Sequence, residues 1–564
     1  MSDVGERVAS KSGGLVQVAR CNPKNPERDC QRVLINKFGL SLLVERSHLG
    51  SLEHIPILKI RRWFEFLLHH SCLHILHGLR ERDAAREEAI CSSFWAKFEK
   101  LQPQHKVFEE ASQGRINLSR ALPLVLHGDE GRGRKRTAHF VLSFHSLIGL
   151  GFSKSQSSMA WDRMECNFEG HSFTNRFLIA TLRKKDYSDH EWETWDTLMA
   201  EVAEEAGSMW QVPVKNRDDA PYWGIVLGII GDWPFLHKSG DFTRSFNNIQ
   251  KRVNVRNPPR GICHLCLAGT PQWDFEQLET RRPDWMRTLF TEDPFQHPSP
   301  FVTHLLHEPG REPNMWFFDW FHTMHLGVAR YYLGSVLALL SEQQPESNID
   351  DRFDSLCADY KSWCQRNSRR AHVMRLSKES IAWETTKSYP SGQWHKGELS
   401  TVLMDYVEYK FKTQSFPHEQ LLVLAGEACE AIQRCSRIFY RSSMWISPEK
   451  CGYCAELILK FLRKYSQMAT LSKTRHRCLF VLQPKLHCLH HFGIQLWDAH
   501  KRNIYGMNPL ATSCQPSEDF IGRPSRLSRR VTAQRPILHR VMDRYLESAY
   551  YQFIQAGFLL RSGG

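Results

Sequence analysis

The stretch LVLHGDEGRGRKRTAHFVLS, residues 124–143, decides the fold prediction, because two apolar runs flank one short polar turn. Strand-forming residues on both sides of a glycine-containing turn predict a β-hairpin, with strands over about 120–130 and 137–150. The first run ends in two adjacent acids, Asp129 and Glu130. Neighbouring side chains point to opposite faces of a strand, so Asp129 is the better site candidate and Glu130 the poorer one. The alternative is that both acids are ordinary turn residues and the basic run after them is a solvated loop.

Two further segments extend the predicted sheet. SFTNRFLIATLRK (172–184) is typical of a strand, and YWGIVLGIIGDWP (222–234) has the continuous apolar run of a strand buried on both faces. The second run ends in another acid, Asp232. Between the two, DHEWETWDTLMAEVAEEAG (189–207) has the end residues of a helix. These elements predict an α+β or α/β fold, in which helices flank a mixed sheet.

The remaining segments predict how the chain is divided. Residues 270–475 are rich in Trp, His and Arg, are broken by proline-containing turns, and are typical of a large, mainly α-helical insertion. The predicted domains are an irregular N-terminal segment (1–50), a helical N-terminal region (51–118), the first part of the core (119–270), the insertion (271–475), and a return to the core with a final acidic helix and a C-terminal helix (476–564).

Composition narrows the class of protein. The 564 residues are 41% hydrophobic, and Lys and Arg exceed Asp and Glu by 74 to 61, an excess that is spread over the whole chain. Basic proteins often bind polyanions, so nucleic acid is a candidate partner. The N-terminus lacks the apolar run of a signal peptide, and no stretch approaches the roughly 20 apolar residues of a membrane span. We therefore expect a soluble, intracellular protein with mostly reduced thiols and no membrane partner.

Three acids on separate elements predict a metal site. A hairpin with Asp129, a strand that ends in Asp232 and a helix start that carries Glu518 have the layout of a ribonuclease-H-like core. Such a core gathers carboxylates at one edge of a mixed sheet, where two Mg²⁺ or Mn²⁺ ions can act on a phosphodiester. Asp519 is the alternate third acid. For Asp232, the alternative is an exposed residue that opens a turn before proline.

A cysteine pair and a distant histidine pair predict a structural zinc site. Cys263 and Cys266 form a Cys-x2-Cys knuckle, which is half of a tetrahedral site. In PKLHCLHHFG, His487 and His491 are four residues apart, on one face of a helix, and would complete a Cys2His2 set. His490 could substitute for either, and the alternative is that these histidines are surface or core residues. A second pair, in the helix-like stretch CGYC (451–454), is interpreted as core thiols.

Basic side chains near the acids are candidate contacts for phosphate groups. These nucleic-acid-binding candidates are Arg132, Arg134, Lys135, Arg136, Arg526, Arg529 and Arg530. In FFDWFHTMHLGVARYYLG (317–334), Asp319 is the second choice for a missing acid, and His322 and His325 share a helix face that could bind metal or contact DNA. The alternative is that both histidines pack inside a helical domain. Glu398 is a weaker acidic candidate.

The order of these motifs resembles that of DDE transposases of the CACTA and KDZ (Kyakuja-Dileera-Zisupton) type, relatives of the hAT transposases and of the V(D)J recombinase core. The resemblance spans about 120–530 and lies in four short pieces: IIGDWPFLHKSG followed by GICHLC, the Asp-x-x-His of FFDWFHTMHLGV, the His-x3-His of PKLHCLHH, and SEDFIG at the place of the final glutamate. The knuckle departs from the family, because it reads Cys-His-Leu-Cys where the family has Cys-Pro-x-Cys. A basic segment, KRVNVRNPPR, separates it from Asp232, and no DNA-reading module is evident before the core.

The resemblance implies a ribonuclease-H-like fold that a helical insertion splits between the second aspartate and the final glutamate. It implies DNA cleavage and strand transfer, with Mg²⁺ or Mn²⁺ on Asp129, Asp232 and Glu518 and a structural Zn²⁺ on the Cys2His2 set. DNA is then the partner, a homo-oligomer is compatible, and a nuclear location fits the GRGRKR cluster. The alternatives are an inactive nucleic-acid-binding or interaction protein derived from a transposase, a nuclease without strand transfer, and an unrelated α-rich interaction protein.

Overall fold

The computed structural model describes residues 42–151, 164–188, 192–249, 260–370, 375–531 and 537–559. The strands within these ranges are β1 (Glu45–Leu49), β2 (Leu52–Ile57), β3 (Ala121–Arg132), β4 (Ala138–Ser146), β5 (Ile148–Gly149), β6 (Glu165–Cys166), β7 (Phe177–Arg183), β8 (Val214–Lys215), β9 (Pro221–Gly231), β10 (Trp445–Ile446) and β11 (Gly506–Met507).

The helices of the first half are α1 (Ile60–His69), α2 (Ala84–Leu101), α3 (Lys106–Ser112), α4 (Ser172–Asn175), α5 (Trp192–Gln211), α6 (Trp233–Gly240) and α7 (Pro300–His304). Those of the second half are α8 (Ala329–Glu342), α9 (Ile349–Arg366), α10 (Gly397–Thr413), α11 (Gln420–Arg441), α12 (Pro448–Thr474), α13 (Pro484–Lys501), α14 (Gln515–Arg529) and α15 (Ile537–Gln555). A π-helical turn, Phe321–Val328, leads directly into α8.

A five-stranded mixed sheet, in the order β7-β4-β3-β9-β8, forms the centre of the molecule, so the class is mixed α/β. The predicted hairpin is present: β3 pairs antiparallel with the whole of β4, from Leu124 to Arg132. Strand β3 runs on through both acids to Arg132, because Asp129 and Glu130 pair with Val141 and Phe140 of β4. On its other side, β3 pairs parallel with β9, and this parallel pair brings the ends of both strands to the same edge.

Strand β9 is shorter than the predicted segment 222–234. Its apolar run is buried as far as Gly231, and a helix then begins. Asp232 caps this helix, α6, because its Oδ1 accepts the Phe235 N–H at 2.9 Å. An aspartate followed by Pro234 in the first turn is a helix-starting signal, and here it outweighs the strand propensity of the preceding residues.

Glycines allow helices to approach the two faces of the sheet closely. A Cβ on Gly128 or Gly231 would lie 2.3 or 2.4 Å from the Phe235 ring of α6, so both positions must lack a side chain. On the opposite face, a Cβ on Gly131 would lie 2.0 Å from Ser525 Oγ of α14. Strand β3 is therefore covered by α6 on one face and by α14 on the other.

Several predicted elements differ in their bounds. The region 51–118, predicted as helical, begins with β2, the second strand of the β1–β2 hairpin, and only then forms α1, α2 and α3. The segment 172–184 starts as the short helix α4, which His171 caps at Phe173, before strand β7. The predicted helix 189–207 corresponds to α5, with 189–191 outside the described residues, and the predicted irregular segment 1–50 is described only from residue 42, where it soon forms β1.

The predicted insertion has an irregular first part and a helical second part. Residues 260–320 are mostly turns and short helices, since prolines repeatedly interrupt regular structure there. Helices α8 to α12 follow, and α12 packs against both α11 and α13. The predicted closing helix 528–560 is the end of α14 and then α15, with 532–536 outside the described residues. Among the described helices, none combines the length and the apolar character that crossing a bilayer requires.

Candidate metal-binding sites

The first site lies where β3 and β9 reach the edge of the sheet. Gly128 and Gly231 are register partners in this parallel pair, so Asp129, which continues β3, and Asp232, which directly follows β9 and caps α6, start from neighbouring positions about 4.8 Å apart. The charge of Asp232 acts on the carboxyl of Asp129, as expected for two acids that lie close together. The parallel pairing therefore places two of the predicted acids side by side.

Helix α14 supplies the third acid. Glu518 lies in its first turn, where the helix dipole favours a negative charge. Two contacts hold this end of the helix: the Cys514 N–H donates to Asp319 Oδ1 at 3.0 Å, and buried Arg176 donates to Ser517 Oγ at 3.1 Å. The close approach at Gly131 then brings the helix down onto the face of β3 that carries Asp129.

A fourth element reaches the same edge along the outer side of β9. Trp316 forms a parallel bridge with Ile229, and the Phe317 N–H donates to the Ile229 carbonyl at 3.0 Å. Asp319 lies three residues after Trp316, and Asp232 lies three residues after Ile229. The segment thus brings Asp319 and, on the first π-helical turn, His322 beside the three acids.

Three groups in this cluster can hold one ion. Ligand atoms of Asp129, His322 and Glu518 all lie within 4.8 Å of one another. The Glu518 side chain is 34% exposed and that of His322 17%, so solvent reaches the recess. Glu518 Oε1 has no hydrogen-bond partner within the described chain and lies 3.4 Å from His322 Nε2. Among these described residues, Asp232 is outside the tight set, and one of its oxygens is already engaged in capping α6.

The surroundings resist full ionisation of the acids. Burial raises the pKa of Asp129 well above its ordinary value, and the charges of Asp232 and Glu518 raise it further. Burial likewise raises the pKa of Glu518 to about 7 and also raises that of Asp232. Burial alone would lower the pKa of His322, but its hydrogen bond to Asp319 and the nearby acids raise it. At neutral pH the recess is therefore a place that favours bound protons or cations.

The second site is the predicted Cys2His2 set. Helix α13 carries His487 and His491, and all four side chains are buried with their ligand atoms within 4.8 Å of one another. Cys263 Sγ is 3.5 Å from His491 Nε2, Cys266 Sγ is 3.4 Å from His487 Nε2, and the two Nε2 atoms are 2.9 Å apart. A tetrahedral zinc ion, with Zn–S about 2.3 Å and Zn–N about 2.0–2.1 Å, sets its ligand atoms about 3.3–3.8 Å apart. The donor set and the two Cys–His distances fit Zn²⁺, and the two imidazoles would have to move apart by about 0.4 Å to bind it.

The environment of this set suits a metal site. Burial would raise the pKa of Cys263, but Cys266 and the two histidines bring it well below its usual value. Burial lowers the pKa of His487 to about 4, so its imidazole is neutral, as a metal ligand must be. The Leu265 N–H donates to Cys263 Sγ at 3.3 Å.

Further contacts connect the Cys2His2 set to the carboxylate edge. Buried Arg244 donates to the Cys263 carbonyl at 2.8 Å and so stabilises the backbone of the loop that carries the two cysteines. His264 contacts the Trp316 carbonyl at 2.8 Å, and the Phe318 ring lies 5.3 Å from that of His491. The segment that carries Asp319 is therefore packed directly against the predicted zinc ligands.

The remaining candidates are placed outside both sites. Glu130 points to the opposite face of β3, as expected, and accepts from Lys184 and Tyr187. Asp519, the alternate third acid, is an exposed residue that pairs with Arg523 at 2.7 Å and does not join the cluster, because it lies on another face of α14. His325 is buried against Tyr440 and Thr401, in agreement with the alternative that this histidine packs inside a helical domain.

Three other sequence candidates can be placed as well. His490 is buried but is not part of the Cys2His2 group. Cys451 and Cys454 are buried within α12, as expected for core thiols. Glu398 lies in the first turn of α10, and no metal-capable group of the described residues includes it.

The two predicted basic runs meet in space. The guanidinium of Arg529, at the end of α14, donates to the Arg132 carbonyl at 2.9 and 2.6 Å, and Arg134 donates to the Val531 carbonyl at 3.1 Å. This basic patch lies on the hairpin turn and the last turns of α14. Its exposed members are Arg132, Lys135, Arg136, Arg526, Arg529 and Arg530.

Sequence reasoning missed Arg176 and Lys485. Arg176 is 1% exposed, and burial lowers its pKa to about 9. Lys485 donates to the His322 carbonyl at 2.8 Å and so joins α13 to the π-helical turn. The only local signal for Lys485 was its position two residues before His487. Arg176 gave none, because its contact with the acidic helix, through Ser517, comes from a distant segment.

No protein-family model matches this chain, and no curated protein is similar to it in sequence.

Proposed function

We propose that the chain is a metal-dependent polynucleotidyl transferase of the DDE transposase type, built on a ribonuclease-H-like core. The observation that supports the proposal is the convergence of three acids: Glu518, from a distant helix, lies within 4.8 Å of Asp129 on β3, and Asp232, directly after the parallel strand β9, is close enough for its charge to act on Asp129. These acids are separated along the chain by more than one hundred residues each time, so their meeting is a property of the fold. A DNA partner and a nuclear location follow from this proposal.

The residues present fit divalent cations. Carboxylate oxygens are the donors that Mg²⁺ and Mn²⁺ prefer, and Glu518 Oε1 lacks any other partner in the described chain. Asp129, Asp232 and Glu518 would hold the ions, which when bound neutralise charge on the phosphate and activate the attacking oxygen.

The chain's own groups would orient the DNA and carry its charge. The basic patch lies on α14 and on the hairpin turn, the same two elements that carry Glu518 and Asp129. Arginine and lysine side chains there would bind backbone phosphates and set the register of the strand, without reading its bases.

The reaction has two steps of the same kind. Water attacks a backbone phosphorus, the P–O3′ bond breaks, the water proton leaves to solvent and the 3′-oxygen takes a proton, which produces a 3′-hydroxyl and a 5′-phosphate. In the second step that 3′-hydroxyl loses its proton to solvent and attacks a phosphodiester of a target strand: a new O3′–P bond forms, the P–O3′ bond of the target breaks, and the released target 3′-oxygen takes a proton. A nuclease would stop after the first step.

The Cys2His2 set would act on structure and take no part in the reaction. It joins the loop that carries Cys263 and Cys266, after α6, to helix α13, and thus both ends of the helical insertion. Because only the short strand β11 separates α13 from α14, a zinc ion there would hold α14, and with it Glu518, near the sheet.

A second candidate is an inactive nucleic-acid-binding protein with the same fold. The observation that favours it is Asp232, which caps α6 and lies outside the tight set of ligand atoms. Such a protein would keep the basic patch and the Cys2His2 set but would not cut DNA.

A plasmid-nicking assay tests the proposal. The full chain would be incubated with supercoiled plasmid and Mg²⁺ or Mn²⁺, and nicked and linear products would be separated on agarose. We expect nicking that EDTA abolishes and that Asp129→Asn reduces at least 10³-fold, as loss of a metal ligand should. Asp519→Asn, which removes an acid next to the site, should keep full activity. Plasmid binding without nicking under any metal would reject catalysis and favour the second candidate.

A further inference from the structure

The carboxylate site contains an imidazole. His322 Nε2 lies 3.4 Å from Glu518 Oε1 and within 4.8 Å of the nearest Asp129 oxygen. Its other ring nitrogen, Nδ1, is held by Asp319 Oδ2 at 2.6 Å. An imidazole that donates from Nδ1 to a carboxylate presents the lone pair of Nε2 to whatever lies on the opposite side.

Asp319 is built to orient this ring. It is 3% exposed, and its two oxygens accept four hydrogen bonds: from the N–H groups of Phe321, Cys514 and His322, and from His322 Nδ1. These four bonds use all the lone pairs of the carboxylate, so it has no oxygen left for an ion, although Asp319, His322 and Cys514 also bring ligand atoms within 4.8 Å of one another. Its effect is therefore exerted through His322, as in the carboxylate–histidine–metal arrangement of known metal sites.

The backbone around His322 is also fixed. The residue lies in the π-helical turn Phe321–Val328, and Lys485 donates to its carbonyl at 2.8 Å. Single π-helical turns inside α-helices frequently occur at functional sites. A Cβ on Gly327 would lie 2.3 Å from the Lys485 side chain, so the glycine leaves the lysine its path to that carbonyl.

The contact between His322 and Glu518 is longer than a hydrogen bond. At 3.4 Å it does not satisfy Glu518 Oε1, to which no donor of the described chain bonds, and the Glu518 carboxyl also lies within hydrogen-bonding reach of Asp129, the third member of the site. Ligand atoms around an ion at about 2.1 Å are separated by about 3 to 4.2 Å. The spacing is thus that of two groups that share an ion.

We propose that His322 is a nitrogen ligand in the carboxylate site, where it binds one divalent ion together with Asp129 and Glu518, so that this position selects a first-row transition-metal ion over Mg²⁺. Imidazole nitrogen suits transition metals, whereas Mg²⁺ prefers oxygen ligands and retains its water. The inference deepens the proposed function, because it names the class of metal that one position binds. It rests on the proposed function only for the role of the ion in DNA cleavage. Asp319 is a positioning residue for the ligand.

Pulsed electron paramagnetic resonance of bound Mn²⁺ tests this inference without any measurement of activity. The full chain, with zinc first confirmed in the Cys2His2 set, would be loaded with one equivalent of Mn²⁺. We expect spin-echo modulation from a directly bound ¹⁴N nucleus, which changes to the ¹⁵N pattern when histidine is ¹⁵N-labelled. This wild-type measurement requires no variant, and so no question of folding arises.

Two variants then assign the nitrogen. His322→Gln should remove the modulation and weaken Mn²⁺ binding at least tenfold, while Mg²⁺ binding changes much less. Asp319→Asn should weaken Mn²⁺ binding about 10- to 100-fold, as loss of an orienting partner does at other metal sites. His325→Gln, one turn along the same helix and outside the site, is the matched control and should retain the modulation.

The outcomes separate this inference from the proposed function. Bound Mn²⁺ without nitrogen modulation would overturn the inference, because the ligands would all be oxygens, and would leave the proposed function standing. Modulation that persists in His322→Gln would overturn it too, because another nitrogen would be the ligand. If the wild-type chain binds no Mn²⁺ at the acids, both the inference and the proposed function fail.

Discussion

The close approach of helix α14 to strand β3 at Gly131 can be perturbed by one methyl group. In Gly131→Ala the new Cβ would lie 2.0 Å from Ser525 Oγ, 2.8 Å from Ser525 Cβ and 3.1 Å from Ile521 Cγ2. The hydroxyl can rotate away, but the Ser525 Cβ cannot, because the helix backbone carries it. The helix must therefore retreat from the strand.

The size of the effect follows from these distances. Carbon atoms in contact are about 3.5–4.0 Å apart, so the helix must move by roughly 0.7 Å or more. Overpacking of this kind costs about 1–3 kcal/mol of folding stability. Because Glu518 lies two turns away on the same helix, it moves with Ser525. Since metal–ligand distances tolerate about 0.2 Å, we expect Mn²⁺ affinity at the acids to fall at least tenfold.

Two measurements check this expectation. Urea unfolding followed by circular dichroism gives the change in stability, and titration calorimetry gives the Mn²⁺ affinity. Gly522→Ala is the matched control on the same helix, because its Cβ would meet only the flexible end of the Arg526 side chain, at 3.1 Å. It should preserve Mn²⁺ binding and leave stability unchanged or raise it by about 0.5–1 kcal/mol.

The reasoning would be refuted if Gly131→Ala were as stable as the wild type and bound Mn²⁺ equally well. The helix would then not rest on the strand at this point. A loss of stability with unchanged Mn²⁺ affinity would show that Glu518 is not a ligand. Replacing Ser525 with glycine in the Gly131→Ala background should restore Mn²⁺ affinity, because it removes the clashing Cβ.

Three other expectations address pH, zinc and salt. Because the pKa of Glu518 is raised from 4.5 to about 7, the folded state retains a proton that the unfolded state loses, so stability without added Mn²⁺ or Mg²⁺ should fall as pH rises through that window. Glu518→Gln should remove this decline. The expectation would be contradicted if the urea midpoints of variant and wild type differed by the same amount at pH 5 and at pH 8. Cys266→Ser should abolish zinc binding, measured by mass spectrometry, and lower the melting temperature by on the order of 10 °C; Cys454→Ser should retain the zinc. Arg136→Ala should reduce the slope of log binding constant against log salt for duplex DNA by about 0.9, whereas Arg217→Ala, away from the patch, should not change it.

Local patterns in the sequence were enough to predict several parts of the fold. The β3–β4 hairpin, the buried run of β9 and the helix start before Glu518 follow from periodicity and end residues, which act over a few residues. The pairing of His487 with His491 is of the same kind, because residues four apart share a helix face. The ends of the elements were predicted less well. The predicted strand segment extended to residue 234, whereas Asp232 and Pro234 start helix α6.

Distant contacts had to come from the tertiary structure. Asp519 and Glu518 are both acids at adjacent positions. Only the orientation of α14 about its axis, as it packs on β3, decides that Glu518 faces the site. His322 and His325 were equal candidates, and the bridge between Trp316 and Ile229 determines that His322 reaches the acids.

By itself, then, the sequence determined which chemical groups were available and which short elements carry them, because backbone preferences and side-chain alternation are local. Only the tertiary structure decided which of these groups meet, because Asp129, His322 and Glu518 are nearly two hundred residues apart at each step, and packing of the insertion and of α14 brings them together. The orientation of His322 by Asp319 and the joining of the two basic runs belong to this second kind, since no local pattern encodes a contact across the sheet edge.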